Sequence, residues 1–200
     1  MNSPFRIAFV IFDGMTALDF IGVFDPVTRL KTMGIMPGLQ YDVCATIREV
    51  TDGSGVRFVA DRVCGPFDRY DMVVLPGGFA TCTLVDDADF VGWIRTAERC
   101  AYKVSVCTGA LLWGAAGFLE GRRATTHPNA SAQLTEYGAT VVDDRIVDEG
   151  DIITARGVTS SIDLGLYLVE KLAGADARLR IAKQMDYPYG QYGVATGHGA

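Results

Sequence analysis

Short apolar runs alternate along the chain with segments of helical spacing. A nearly unbroken apolar run from Phe5 to Phe12 has the length of a strand, and similar runs lie at 71–75 and 103–106. Such runs are typical of parallel strands that are covered on both faces. Elsewhere apolar residues recur at threes and fours, which predicts helices over 16–33, 89–99, 110–118, 129–136, 159–172 and 175–185.

Two segments have the pattern of antiparallel hairpins. Residues 48–63 alternate around the turn 52–55, and residues 145–155 alternate around Glu149-Gly150. Shorter strands are predicted at 41–46 and 140–142. Pro26 predicts a break inside the first helix. Asn129 is predicted to cap the helix that ends at Glu136, and the Gly- and Tyr-rich tail from Tyr187 is predicted to be loosely held.

Alternating strands and helices predict an α/β fold with a doubly wound, mostly parallel sheet sandwiched between helices. We expect a flavodoxin-like arrangement with edge hairpins, formed by one domain over 1–200 with a tail from about 187. Sites in such sheets lie at the carboxyl ends of the strands. Three predicted strands end in Asp13-Gly14, in Pro76-Gly77-Gly78 and in Cys107. We expect these three ends to converge.

Composition excludes several classes of protein. The net charge of −6, without a basic cluster, disfavours nucleic acid and anionic membranes as partners. The five cysteines lack paired metal-like spacing, so we expect neither a disulfide framework nor a zinc site, and a reducing cytoplasm is the expected location. No apolar run is long enough to span a bilayer, and we expect no signal peptide at the N-terminus.

Cys107 is the candidate nucleophile. It stands where a short strand turns within a residue or two into a helix, the geometry of the nucleophile elbow with cysteine in place of serine. The positive end of that helix is expected to favour the thiolate. Cysteines are often only small buried hydrophobes, and we assign that role to the other four, Cys44, Cys64, Cys82 and Cys100.

Three motifs resemble one family. V-C-T-G-A-L-L-W-G-A-A-G-F-L-E-G-R-R-A-T-T-H (106–127), L-P-G-G (75–78) and G-V-T-S-S-I-D (157–163) are similar to ThiJ/PfpI members of the glutamine-amidotransferase-like superfamily. Within it, A-L-D-F-I-G-V (17–23) and a threonine after the cysteine resemble the isocyanide hydratases. The resemblance implies a homodimeric carbon–nitrogen lyase without metal or organic cofactor, which adds water to an isocyanide to give an N-substituted formamide.

The sequence also departs from parts of that superfamily. It has no late His and Glu for a Cys-His-Glu triad, and Thr108 stands where PfpI-type proteases have histidine. Both differences disfavour peptidase and amidase activities. Arg156 stands where a small residue is expected in the hydratases, and it would change which substrates fit if it bordered the pocket.

The resemblance places the Asp19 carboxyl within hydrogen-bond reach of the Cys107 sulfur. Burial and the nearby thiolate would push that carboxyl toward its protonated form, so that it could act as a general acid and base. The alternative is a surface acid that complements the helix dipole.

Backbone amides of Gly77, Gly78 and Thr108 are candidates for an oxyanion and substrate-binding site. Alternatively, the two glycines only form a turn. The Thr108 hydroxyl is expected either to orient the sulfur or a water, or only to start the helix.

His127, Arg156 and Val158 are candidate pocket residues. For His127 we favour a loop histidine satisfied by backbone groups over a general base. No metal site is expected, and His198 in the tail receives no role.

Two other functions fit the same cysteine. A glyoxalase- or deglycase-like enzyme would form a hemithioacetal with a 2-oxoaldehyde, but it needs a stronger base than Asp19. A non-enzymatic redox sensor would oxidise at Cys107. A DNA-binding regulator is disfavoured by the acidic charge and by the lack of room for a helix-turn-helix module.

Overall fold

The strands follow the predicted order along the chain. The computed structural model describes residues 4–188 and the backbone of 194–196. Its strands are β1 (Arg6–Val10), β2 (Gln40–Ala45), β3 (Glu49–Thr51), β4 (Arg57–Val59), β5 (Arg62–Val63), β6 (Met72–Leu75), β7 (Tyr102–Val106), β8 (Arg123–Ala124), β9 (Thr140–Val141), β10 (Ile146–Asp148), β11 (Ile152–Ala155) and β12 (Val194–Thr196).

Eight of the described strands form one sheet. Their order is β12-β10-β11-β7-β6-β1-β2-β5, and neighbouring strands run parallel except for the antiparallel pair β10–β11. The central strands β1, β6 and β7 are almost wholly buried, as their continuous apolar runs predict. The predicted fold class, a mostly parallel sheet between helices, is confirmed.

Helices cover the sheet close to the predicted positions. They are α1 (Ala17–Thr32), α2 (Thr81–Leu84), α3 (Ala88–Arg95), α4 (Gly109–Ala115), α5 (Ser131–Glu136), α6 (Ser160–Ala173) and α7 (Ala175–Gln184), with 3₁₀ turns at Thr96–Arg99 and Pro128–Ala130. The Asn129 cap is wrong, because Asn129 lies inside the second 3₁₀ turn and His127 caps it instead.

The predicted break at Pro26 is also wrong, because α1 runs through it without interruption. The Pro26 ring packs against Gly165 of α6, and the Gly22 carbonyl, which Pro26 cannot bond, faces the same glycine. Gly22 in turn packs closely on Ser161. Two glycines therefore let α1 and α6 approach closely, and α1 stays continuous although Pro26 removes one helix bond.

Both predicted hairpins are present. β3 pairs with β4 outside the main sheet, and β10 pairs with β11 within it. The expectation of a loosely held tail is wrong for residues 194–196, which extend the sheet as β12 beside β10. No helix in the described ranges has the length and apolarity of a membrane span.

The carboxyl ends of β1, β6 and β7 converge as predicted. The Thr16 amide donates to the Gly77 carbonyl at 2.8 Å, and Gly78 lies against Gly14 and Met15 with a φ of +141° that favours glycine. Gly109, at the start of α4, lies directly against the Leu75 and Pro76 carbonyls. The loops that follow the three strands therefore form one contiguous surface around Cys107.

Candidate active site

Cys107 is held in a strained conformation between β7 and α4. Its φ of +57° lies in the left-handed region, which side chains other than glycine rarely adopt and which costs about 1–2 kcal/mol. Its amide donates to the carbonyls of Ala155 (2.9 Å) and Arg156 (2.7 Å), and its carbonyl accepts from Thr126 Oγ1 at 2.9 Å. These three bonds hold the strained turn in place, and they confirm the predicted elbow.

Asp19 lies in the first turn of α1 and is fully buried. Its Oδ2 accepts a 2.9 Å hydrogen bond from the Gly77 amide, whereas Oδ1 has no partner of ordinary hydrogen-bond geometry within the described ranges. The carboxyl interacts with the Cys107 side chain, and no cation among the described residues compensates its charge. The alternative of a surface acid is therefore wrong.

Burial dominates the protonation of both groups. It raises the pKa of Asp19 from 3.8 to about 6, although hydrogen bonds from Gly77 and Cys107 act in the opposite direction. Burial and the charge of Asp19 raise the pKa of the Cys107 thiol to about 12. The amide and hydroxyl of Thr108 lower it by less. The amide at the start of α4 therefore favours the thiolate as expected, but burial outweighs it and the resting thiol stays protonated.

Thr108 closes the elbow onto the loop after β6. Its Oγ1 accepts from the Gly78 amide at 2.9 Å and lies 3.1 Å from the Gly78 carbonyl, to which it can donate. The Gly77 amide is occupied by Asp19. Neither glycine amide is thus free for an anion, which contradicts their predicted role as oxyanion donors; they position Asp19 and Thr108 instead. The Thr108 amide remains directed at the sulfur.

A cavity of about 260 Å³ opens on Cys107. Its wall also includes Gly78, Thr108, His127 and Val158, all of which were predicted at the site. Asp19 is not part of the wall. Cys107, 5% exposed as a residue, therefore contacts the cavity on one side and the buried Asp19 carboxyl on the other.

The remaining predicted residues have different positions. His127 Nδ1 accepts from the Asn129 amide at 3.3 Å, which is the backbone-satisfied histidine that the sequence favoured, yet its ring still lines the cavity. Arg156 does not line it, because its guanidinium pairs with Asp143; its carbonyl helps to hold Cys107. The pocket role predicted for Arg156 is therefore wrong. His198 lies outside the described residues.

The sequence missed part of the cavity wall. Thr16, Phe79, Cys82, Asn129, Ala130 and Gln133 complete it. Phe79 follows Gly78 directly, Cys82 is four residues after it, and Gln133 is six residues after His127. Proximity to predicted site residues was therefore the available signal. Cys82, which was assigned a structural role, is exposed and lines the cavity. The described residues contain no group of side chains that could hold a metal ion.

Comparison with known proteins places the chain in a family. The model of the DJ-1/PfpI family matches residues 5–171. Isonitrile hydratase from Pseudomonas putida is 32% identical over 183 residues, which are 91% of this chain and 78% of that protein. The glutathione-independent glyoxalase DJ-1 of Schizosaccharomyces pombe is 28% identical over 126 residues, 60% of this chain and 64% of that protein.

Solved structures agree with the sequence comparison. A THiJ/PfpI family protein from Pseudomonas syringae superposes with a TM-score of 0.83 at 29% identity, covering 96% of this chain and 78% of the other. Drosophila melanogaster DJ-1beta superposes with a TM-score of 0.80 at 22% identity, covering 92% of this chain and 99% of the other, and so shares the fold. With the family model matched over most of its length, the chain belongs to the DJ-1/PfpI family.

Proposed function

We propose that the protein is an isocyanide hydratase, a carbon–nitrogen lyase that adds water to an isocyanide to give an N-substituted formamide. The observation that carries this proposal is the buried Asp19 carboxyl held by Gly77 behind the Cys107 thiol. A reaction at a terminal carbon needs a nucleophile and one group that moves a proton over a short distance, and this pair supplies both. The similarity to the isonitrile hydratase of Pseudomonas putida supports the same reaction.

The first step joins sulfur to the substrate. Asp19 carboxylate takes the thiol proton as Cys107 Sγ attacks the terminal isocyanide carbon, and the same carboxyl then gives that proton to the carbon. The product is a neutral thioimidate, R–N=CH–S–Cys107. The pKa of about 6 suits this exchange, because Asp19 is ionised at neutral pH yet basic enough to accept a proton.

The second step consumes water. Asp19 carboxylate removes a proton from water as the water oxygen adds to the thioimidate carbon. The same proton then passes from Asp19 to the substrate nitrogen. Collapse of the tetrahedral adduct breaks the C–S bond, releases R–NH–CHO and returns a proton to sulfur. One water is added in total, and no electrons are exchanged.

The cavity limits the substrate. Phe79, Ala130 and Val158 give its wall an apolar side, and its volume of about 260 Å³ is smaller than that of a typical drug-sized site. We infer that compact apolar isocyanides, with a short alkyl group or a single ring, fit best.

Formamide formation from a panel of alkyl and aryl isocyanides tests the proposal. Wild type and Cys64→Ala, which removes an exposed cysteine outside the cavity, should turn over equally. Cys107→Ala should be inactive. Asp19→Asn should lose at least about 100-fold in kcat, the usual contribution of general acid–base catalysis. Absence of turnover by the wild type across the panel would remove the proposal.

A glyoxalase-like activity is the second candidate. His127 lines the cavity, and once its Nδ1 is released from the Asn129 amide it is the candidate for the stronger base that proton transfer between neighbouring carbons requires. The similarity to the Schizosaccharomyces pombe glyoxalase points the same way. Lactate formed from methylglyoxal faster than formamide from any isocyanide, and lost in His127→Ala, would favour this candidate over the hydratase.

We also propose a homodimer whose interface lies beside the site. Leu18 and Ile21 are exposed on α1 on either side of Asp19, and Phe79 is 95% exposed at the cavity. Apolar side chains this close to a site are commonly covered by a partner. Ile21→Glu should give a monomer in light scattering, whereas Leu179→Glu, at an exposed position on α7, should remain a dimer. A wild-type monomer would contradict the proposal.

A further inference from the structure

A second cavity lies at the amino ends of the strands, whereas Cys107 lies at their carboxyl ends. It has a volume of about 410 Å³ and is found where β1 and β2 begin. The register pairs Arg6 with Gln40, so these two residues lie side by side where the strands begin. Arg62 comes from β5, which extends the sheet beyond β2, and Arg69 comes from the loop that precedes β6.

The described wall of this cavity is strongly cationic. Arg6, Lys31, Arg62 and Arg69 line it, against one carboxylate, that of Asp42. The chain as a whole has the opposite balance, with 18 Lys and Arg against 24 Asp and Glu. Four cations around one concave surface of an acidic protein repel one another, and a bound anion would relieve that repulsion.

Asp42 arranges two of these cations. Its Oδ2 accepts from Arg62 Nε at 2.9 Å, from Arg69 at 3.3 Å and from the Tyr70 hydroxyl at 2.6 Å. Burial acts to raise the pKa of Asp42, but the hydrogen bonds from Tyr70 and Arg62 lower it overall. The carboxylate is therefore ionised at neutral pH, and it holds both guanidinium groups at the cavity.

The other two cations have no such partner. Within the described ranges, neither Arg6 nor Lys31 forms an ion pair with a carboxylate. Lys31 Nζ lies 5.5 Å from the centre of the Tyr41 ring, a contact that leaves the ammonium donors available. The Asp71 carboxylate accepts from the Arg6 backbone amide at 2.7 Å rather than from its guanidinium. The cavity therefore keeps two positive charges without a carboxylate partner among the described residues.

We propose that this cavity binds a small molecule that bears a phosphomonoester. Such a group carries about −1.5 to −2 charge at neutral pH, which matches the charge of Arg6 and Lys31. Its three terminal oxygens accept hydrogen bonds from several cations at once, and guanidinium groups fit them in a fork. The volume leaves room for an organic portion beyond the phosphate.

Titration calorimetry at low ionic strength tests this site with phenyl phosphate as the probe. We expect saturable binding of one molecule per chain, and weaker binding of sulfate because it lacks the organic portion. Arg6→Gln/Lys31→Gln should weaken phenyl phosphate binding by about tenfold or more, as expected for charge-assisted hydrogen bonds. The matched control Arg57→Gln/Arg180→Gln removes the same charge at exposed positions outside the cavity and should bind like wild type.

Three results would overturn the proposal. One is no saturable binding by the wild type, and another is equal weakening in both double variants, which would mean general charge attraction. The third is loss of binding in Cys107→Ala, which would place the probe in the cavity at Cys107. If the double variant fails to fold by circular dichroism, Lys31→Gln alone serves, because Lys31 is exposed.

Discussion

The Asp19 carboxylate and the Cys107 thiol control each other's protonation. The negative charge of Asp19 helps burial to raise the pKa of Cys107 to about 12, while the hydrogen bond from Cys107 lowers the pKa of Asp19, which burial has raised to about 6. Between these two values the pair carries one ionisable proton. A pair of this kind can deliver a thiolate only at the moment when the carboxylate accepts that proton.

The pH dependence of catalysis follows from this pair. Below a pH of about 6 Asp19 becomes protonated and can no longer take the thiol proton. We expect kcat/KM to fall on the acid side with an apparent pKa near 6 and to stay level through neutral pH. Rates measured between a pH of about 4.5 and about 8.5 check this expectation. A profile that keeps the same acid limb in Asp19→Asn would assign the limb to another group.

Protein stability should respond to the same group. Because folding raises the pKa of Asp19 from 3.8 to about 6, its contribution to stability is fully present below pH 3.8 and is lost as pH rises through 6. This shift corresponds to about 3 kcal/mol at about 1.36 kcal/mol per pH unit. The amide introduced by Asp19→Asn would not titrate and could still accept from Gly77. The stability of Asp19→Asn relative to wild type should therefore rise by about 3 kcal/mol between a pH of about 3.5 and about 7 in urea unfolding.

The chain pattern predicted the fold more completely than the site. Continuous apolar runs are sufficient to identify β1, β6 and β7, and strand polarity then brings Cys107 near Asp13 and Gly77. The position of the Asp19 carboxyl beside the sulfur followed only from the family resemblance. Local rules failed where tertiary contacts decide, as at Pro26, where the neighbouring α6 permits an unbroken α1. The raised pKa of Cys107 was also beyond local rules, since it depends on burial by residues distant in sequence. The cavity wall at Gln133 depends on how α5 packs, which spacing alone does not give.

Gly77 should tolerate no side chain. A Cβ there would lie 2.6 Å from the Thr108 nitrogen, 2.7 Å from Thr108 Oγ1 and 2.9 Å from Asp19 Oδ2. Gly77→Ala would displace both neighbours of the Cys107 sulfur, and a misplacement of about 1 Å can cost about 100-fold in rate. We expect kcat to fall by about that factor. Gly38→Ala is the control, because a Cβ there meets nothing within 4 Å, and equal activity of the two variants would contradict this reasoning.

The Thr108 hydroxyl should be needed for its two bonds to Gly78. Thr108→Val has nearly the same shape but leaves the Gly78 amide without its acceptor, at a cost of about 1–3 kcal/mol in unfolding free energy. The single hydroxyl proton can also turn from the Gly78 carbonyl to the sulfur, where it lowers the pKa of Cys107, so alkylation of Thr108→Val by iodoacetamide should slow at a given pH. Thr108→Ser keeps the hydroxyl and should behave like wild type in both measurements. Wild-type stability in Thr108→Val would mean that these two bonds contribute nothing.

Alanine should destabilise the protein at Gly165, which lies in the contact between α1 and α6, and stabilise it at Gly92, which lies outside that contact. A Cβ on Gly165 would lie 2.4 Å from Pro26 Cγ and 2.9 Å from the Gly22 carbonyl oxygen, so the helices must separate. Overpacking of this kind costs about 1–3 kcal/mol or more, which exceeds the gain of about 1 kcal/mol in helix propensity. Gly92 on α3 meets nothing within 4 Å, and there the propensity gain stands alone. In urea unfolding Gly165→Ala should therefore be less stable than wild type and Gly92→Ala more stable. Because α1 carries Asp19, Gly165→Ala should also lower kcat, whereas Gly92→Ala should leave kcat unchanged. Wild-type stability and full activity in Gly165→Ala would contradict this prediction, since they would show that α1 can shift without moving the carboxyl from the sulfur.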